Sequence, residues 1–504
     1  MPTRRPPAAA GEALPAPSGA DSDDADLELD RLLLGANVQG EAASLLYSSL
    51  PVILSTTTQL LIMVPLMSAV GGLGRIALAS MNLVSIYSGL AGMAPLSGLA
   101  MALDSLCSQA YTAASDRRLL GLYLQRVLVA VAVTLVAIYP LWWNAQPIYR
   151  HLGVPEEIAQ ATGRMLRLYF FGVAGMFVYE CLKSYLFAQG IRRFAPLAQA
   201  ICLPASWLCI WLFVSNPGTS MGFLGIPCVI IVTAAGFNLV TLVFISRVDG
   251  HQCWGGWSRA ALVGLGPVFK LGAAGSAITF FESVSLHMID IGVLFLDASS
   301  MAAQAILSTI LTGAWFLGAG FAVATCNRVG NLLGAGQPNR ALLAVYTALG
   351  LAVAVFVPLT VALAIHGRAV AGIFTSDPEV VDIICSHMAW PAMGSAVQGI
   401  SMAASGVLRG QGRQALTARI RMAAFVCISV PMSALAVAVF RWGLAGLWFS
   451  YVAGALLAMC AQVYVVLATD WSKEMELCRR RLSDHDIAAR SRELEDHETP
   501  RILP

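Results

Sequence analysis

Three titratable side chains, Glu282, His287 and Asp290, stand close together inside the apolar run Pro267 to Leu296, PVFKLGAAGSAITFFESVSLHMIDIGVLFL. A run of this kind can cross a bilayer, which takes about 20 residues. A carboxylate at the bilayer centre costs at least about 2.5 kcal/mol on insertion scales, so an acid there marks a functional site by default. In a low-dielectric cleft the charged form of such an acid is disfavoured. That suits Glu282 to take a proton from one side of a membrane and release it to the other, and a cation would compete for its ionised form. A structural acid paired with a neighbour is the alternative reading.

His287 brings an imidazole, which ordinarily titrates near neutral pH. It falls about 140° round the helix from Glu282 at 100° per residue, so the two need not face one cavity. Asp290 is about 80° round from Glu282 and about 12 Å further along the axis. It reads as a second polar group toward the far mouth of a cavity. Glu282, His287 and Asp290 are thus the candidate proton- or cation-coupling residues, each weighed against a merely structural role.

The chain that must position them has 504 residues, of which 57% are hydrophobic and 12% charged. Soluble domains carry roughly 25% charged residues, so the composition predicts an all-α protein that crosses a membrane many times. The formal net charge of +2 gives no reason to expect a nucleic-acid partner. No CxxC pair or Cys/His cluster has metal-ligand spacing, so no metal or other cofactor is expected, and most of the 11 cysteines read as small apolar fillers. No secretory signal precedes the first apolar segment, which would itself direct insertion.

Residues 1–43 are rich in Pro, Ala, Ser and Asp, a composition that cannot bury enough apolar surface to fold. Twelve hydrophobic segments follow, near 44–69, 76–107, 119–143, 158–187, 195–215, 221–246, 263–296, 300–330, 342–365, 380–408, 416–439 and 443–469. They divide into spans one to six (44–247), a linker (248–262), spans seven to twelve (263–469) and a charged tail (470–504), read as cytoplasmic with a short helix. The basic loop residues cluster on one side: Arg117, Arg118, Arg192, Arg193, Arg247, Arg259, Arg328, Arg340, Arg409, Arg413, Arg419 and Arg421. Arg75, Arg150, Arg368 and Arg441 are on the other, so the positive-inside rule puts both termini in the cytoplasm.

The chain also repeats itself. ALDSLCSQAYTAASDRRLL (102–120) aligns with TCNRVGNLLGAGQPNRALL (325–343), and Pro155-Glu156 aligns with Pro378-Glu379 in the same register. Gln189-Gly190 with Gln411-Gly412, and Gly222-x-x-Gly225 with Gly443-x-x-Gly446, continue it. Six spans per repeat is an even number, so both halves enter the membrane in the same sense. Two bundles related by a pseudo-twofold along the membrane normal follow, with a cleft between them. Substrate sites in such transporters lie at the repeat interface near the midplane, served by alternating access.

RVGNLLGAGQPNRA (Arg328 to Ala341) resembles the RVxNxLGAGxPxxA motif of the multidrug and toxic compound extrusion (MATE) family. ALDSLCSQAYTA resembles that family's ALDTLCGQAFGA, Gln125-Arg126 falls on its QR pair, FAQG (Phe187 to Gly190) resembles LQAQ, and GVLRGQGRQ (Gly406 to Gln414) resembles GVxRGxGxQ. The resemblance covers about residues 40–470 and is nearest the eukaryotic branch, with a last motif like that of fungal members. It implies a monomeric antiporter that expels small organic, often cationic, solutes in exchange for protons or sodium. It also implies a coupling carboxylate in span seven, which falls on Glu282. Three positions depart from the family pattern: His287 where a second acid is usual, Gln398 where span ten usually has an acid, and VGGLG (Val70 to Gly74) for VGHLG.

Gln398 and Gln304 can only hydrogen-bond, as can Asn238, which follows Phe237 as an Asn often follows an aromatic in span six of the family. With Gln59 in span one they are candidate substrate-cavity residues, the alternative being interhelical hydrogen bonds worth about 0.6 kcal/mol on average. Asp104 is read as capping or locking the loop of Arg117 and Arg118. With the motif residues Gln109, Arg328, Asn331, Gly334 and Arg409 it forms a candidate gate. Glu180 and Lys183, three apart on a helix, read as a self-satisfied pair near the membrane interface. Phe280, Phe281 and Trp315 offer cation–π surface or plain packing. The glycines of GNLLGAGQP lack P-loop spacing and read as a helix end and turn, so transport is expected to be secondary.

The leading expectation is therefore a proton-coupled exporter of organic solutes in the plasma or vacuolar membrane. A lipid flippase with a related two-lobe fold is the alternative, and a membrane enzyme a remote one, since His287 and Asp290 stand in no catalytic motif.

Overall fold

The computed structural model describes residues 22–113, 116–293, 296–375 and 377–480. Every regular element among them is a helix. Ten helices are long and apolar enough to cross a membrane, and the pair Pro378–His387 and Ala389–Gly410, bent by 46°, makes an eleventh. The remaining long helix, Leu265–Val293, is 29 residues but does not match the others in apolar character, because Lys270, Glu282, His287 and Asp290 interrupt it. The residues that make span seven interesting are the ones that dilute it. In chain order the helices fall on the twelve predicted segments to within a few residues.

Two main apolar cores form. One joins spans one to six around Trp142, Tyr169 and Tyr185 and continues into the second half through residues such as Val329, Val345, Val407 and Trp471. The other joins spans seven, eight, ten, eleven and twelve around Trp448, Tyr451 and Phe425. In the first, Trp142 is fully buried and donates its indole N–H to the Ala91 carbonyl (3.1 Å). Span two is wound as a π-helix there, over Gly89–Met93. Gly92 is required at that point, since a Cβ would stand 2.4 Å from the Trp142 ring.

The halves meet along spans two and seven, one and eight, and two and eight, and at the first of these small residues let backbones approach closely. A Cβ on Gly98 would lie 2.1 Å from the Ser276 nitrogen and 2.2 Å from the Gly272 carbonyl oxygen. Ser276 donates across the same contact to the Pro95 carbonyl (2.9 Å). The 248–262 linker is tied to the first half: Gln125 in span three donates to the Gly256 carbonyl (2.7 Å) and accepts from the Ser258 N–H (2.9 Å). Arg126 Nε reaches the Ala260 carbonyl (3.4 Å). The QR pair thus holds the strap that joins the two halves.

The first helix runs Ser22–Gly71, well beyond its membrane segment. Residues 22–43, expected to be unstructured, are helical instead. Extending an existing helix requires no new nucleus, so a short acidic, Leu-containing run can remain helical where it could not fold alone. Residues 1–21 lie outside the described residues. At the other end, 471–480 forms the short helix anticipated in the tail. It buries Trp471 and Cys478 and places Glu474 3.4 Å from Arg413. The tail beyond residue 480 lies outside the described residues.

Candidate functional site

Glu282 is buried, with its side chain 5% exposed. Three side chains from other spans converge on it. Arg421, at the end of the first helical stretch of span eleven (Gln414–Arg421), forms an ion pair with Oε2 and is itself 2% exposed. Gln398 of span ten donates its amide to Oε1, and Trp315 of span eight donates its indole N–H to the same oxygen (3.1 Å). Taking a carboxylate out of water is expensive unless it is paired and hydrogen-bonded. Here both conditions are met.

The pair is not sealed away from space. Glu282, Thr279 and Trp315 form the partition between two cavities. One, of about 280 Å³, lies between the halves and is lined from spans one, two and four on one side and seven, eight, ten and eleven on the other. The other, of about 260 Å³, lies within the second half, among spans seven, eight and twelve. Arg421 lines the first cavity beside Glu282. Directly after it, Met422–Ser429 winds as a π-helix, a form that recurs at functional sites.

His287 and Asp290 line the second cavity together with Glu282, so the 140° spacing does not separate them into different cavities. His287 Nδ1 lies 3.3 Å from Asp290 Oδ2. Gln304 donates to Asp290 Oδ1 (3.3 Å) and accepts from the Trp448 indole N–H (2.9 Å). The result is a polar chain running from His287 through Asp290 and Gln304 to Trp448.

Several sequence expectations are corrected. Asp104 does not lock the Arg117–Arg118 loop. It is buried in the inter-lobe cavity with Oδ2 3.8 Å from Arg409 Nη2, an ion pair between spans two and ten. Arg409 and Arg421 are accordingly buried inside the helix bundle rather than exposed on the basic face with which they were counted. Gln398 contacts the Glu282 carboxylate and is not among the cavity-lining residues. Asn238 ties span six to span four, donating to the Gly175 carbonyl (2.7 Å) and, within its own helix, to that of Ala234 (2.8 Å), and it lines neither cavity. Glu180 and Lys183 do pair (2.5 Å), but inside the inter-lobe cavity, where Gln59 donates to Glu180 (3.4 Å).

The motif residues gather where the two halves are joined, at the end of the bundle shared by the described chain ends. Gln109 donates to the Gly410 carbonyl (2.7 Å), and Thr112 to the carbonyl of Asn331 (2.8 Å). Gln414 bonds Ser105 Oγ (2.8 Å), and Arg328 holds Glu41 through two contacts of 2.5 and 2.6 Å. Gly334 is needed for this approach, because a Cβ would stand 2.4 Å from both the Gln109 carbonyl and the Thr112 hydroxyl. Gly334 ends its helix, and Gly336 turns at φ +71° before span nine begins at Pro338, the helix end and turn expected of GNLLGAGQP.

Arg421 is the member of this cluster that sequence reasoning missed. The signal was present: a buried acid requires a base, and Arg421 lies five positions inside the segment placed at 416–439.

Comparison with known proteins gives a consistent picture. The family model described as MatE matches residues 51–211 and 275–435. A transporter of Schizosaccharomyces pombe is 30% identical over 416 residues, covering 82% of this chain and 77% of the relative. Protein DETOXIFICATION 17 of Arabidopsis thaliana is 28% identical over 459 residues, covering 89% and 94%. Among solved structures, the eukaryotic MATE transporter AtDTX14 superposes with a TM-score of 0.83 at 23% identity, covering 88% of this chain and 99% of that one.

Proposed function

The chain belongs to the MatE family of membrane transporters, and from that premise we propose that it is an antiporter exporting small organic solutes in exchange for protons taken up at Glu282. Transporter families of this kind carry solutes and do not transform them, so no catalytic step is invoked. The observation that carries the proposal is the position of Glu282, buried against Arg421 yet bordering both cavities.

The coupling logic follows from the pair. While Glu282 is ionised, Arg421 is compensated and the partition is electrically quiet. A proton on Glu282 leaves Arg421 as an uncompensated buried charge, which is destabilising by about 3–5 kcal/mol when a partner is simply lost. That penalty is the drive for a rearrangement, and the π-wound turn after Arg421 offers the backbone slack for it. We place proton access to Glu282 in the second cavity, which the titratable pair His287 and Asp290 lines together with it.

The moving bodies are two lobes, residues 44–247 and 263–469, joined by the 248–262 strap. Polar contacts that cross between the lobes, among them Asp104–Arg409, Gln109–Gly410 and Thr112–Asn331, hold the termini-bearing end closed. We assign that end to the cytoplasm on the basic loops it carries. Opening toward the cytoplasm then requires those contacts to break. One pH unit supplies about 1.36 kcal/mol per proton, enough for roughly a tenfold solute gradient at one-for-one exchange.

The test is efflux from proteoliposomes driven by an imposed pH gradient. Glu282→Gln should abolish it while the purified variant remains folded. Full retention of efflux would remove Glu282 from the mechanism.

A further inference from the structure

The inter-lobe cavity contains its own counter-ions. Among the described residues that line it, the acids are Asp104, Glu180 and Glu282 and the bases are Lys183, Arg409 and Arg421. Each acid faces a base: Asp104 and Arg409 at 3.8 Å, Glu180 and Lys183 at 2.5 Å, and Glu282 in direct contact with Arg421. No carboxylate on this wall is left over to receive a positively charged solute. Arg421 occupies on Glu282 the position that an ammonium group would take, as a cation tethered to the protein.

The rest of the wall is apolar and adaptable. Met93, Met101, Met176 and Met402 line the cavity together with Phe177 and Phe316. Methionine side chains mould to irregular apolar shapes. Hydrogen-bonding groups such as Thr56, Ser97 and Gln59 are few. A solute of net charge +1 would leave water without gaining an unpaired counter-charge, a transfer that strongly disfavours an ion. A solute of net charge −1 would meet Arg421 already bound to Glu282, and Arg409 with the Asp104 carboxylate 3.8 Å away.

Resting on the antiporter reading above, we infer that the cargo of this cavity is an uncharged amphipathic organic molecule, mainly apolar with a few hydrogen-bonding groups, and not an organic cation. Asp290 is the remaining acid nearby, but it belongs to the other cavity, where His287 and Gln304 engage it. The coupling consequence is direct. Exchange of one proton for one uncharged molecule moves one charge across the membrane, so membrane voltage and the pH gradient both drive export.

The experiment uses three anthracene probes that differ only in one substituent: hydroxymethyl, trimethylammoniomethyl and carboxylate. Binding to the purified full chain is read by energy transfer from tryptophan, Trp315 being on the cavity wall. The hydroxymethyl probe should bind at least tenfold more tightly than either charged analogue. Arg421→Met, which leaves Glu282 without its tethered cation, should move the preference at least tenfold toward the ammonium probe, and Glu282→Gln/Arg421→Met should restore the wild-type order. Equal or tighter binding of the ammonium probe by the wild-type protein overturns the inference, as does failure of the hydroxymethyl probe to bind. Flux of the hydroxymethyl probe that ignores an imposed pH gradient, with the binding order intact, would count against proton coupling and leave the cargo assignment standing.

Discussion

Arg421 and Glu282 form an ion pair between spans eleven and seven, with both side chains at most 5% exposed. Removing one member of such a pair leaves a charge stranded in a dry interior, which is typically destabilising by about 3–5 kcal/mol. Arg421→Met and Glu282→Ala should therefore each lower the unfolding temperature in detergent. The double variant Glu282→Gln/Arg421→Met should recover most of the loss, since replacing both charges is often neutral. Single variants as stable as the parent would show that the pair carries no such strain.

The cycle proposed above has the lobes part at the termini-bearing end. Thr112 and Asn331 touch there through a 2.8 Å hydrogen bond. A chain with Thr112→Cys and Asn331→Cys, joined by a short thiol crosslinker, should bind solute and fail to transport it, and reduction of a cleavable crosslinker should restore flux. Undiminished transport by the crosslinked protein would place the moving contact elsewhere.

Gly98 sets how closely spans two and seven approach. The atoms a Cβ would meet, at 2.1 and 2.2 Å, belong to backbone, so a side-chain rotation cannot make room. Gly98→Ala should destabilise by about 1–3 kcal/mol, as overpacking generally does, and depress flux. Thermal unfolding and vesicle efflux measure the two effects together, and a variant unchanged in both would contradict the close contact.

Asp297 lies outside the spans, capping span eight. Its carboxylate accepts from the Ser300 backbone N–H and hydroxyl, both at 2.8 Å. The Ser300 backbone hydrogen bond, then the hydroxyl, holds its carboxyl below the usual aspartate range. A depressed carboxyl contributes stability that is fully present above its unfolded value of about 3.9 and is lost as pH falls through the lower folded value. Asp297→Asn can still accept the backbone hydrogen bond and cannot titrate. Unfolding temperatures followed from pH 5 to pH 2 should therefore fall more steeply for the parent than for the variant. Parallel curves would deny the cap this role.

Much of this architecture is written along one dimension. An apolar run must cross the bilayer wherever it occurs, so the helix boundaries could be read from composition, and the offset repeat showed two halves. Glu282 stood out because an acid in an apolar run has few benign explanations. Its partners did not, because pairing across 139 positions leaves no trace in spacing. Arg421 follows the polar run GQGRQALTAR and looked like part of a loop, although its place inside the segment was visible. Asp104 was linked to the nearest arginines in sequence, whereas the fold brings it to Arg409 of the other lobe. Asn238 and Gln398 are amides of the same chemistry as Gln304, and only the packing distinguishes a cavity wall from a helix tie.

Proton coupling at Glu282 is tested most directly by recording pH inside proteoliposomes while solute leaves down its own gradient. The parent protein should move protons inward as solute departs, and Glu282→Gln should carry solute down its gradient with no accompanying pH change. Proton movement by Glu282→Gln at the parental ratio to solute would contradict the account.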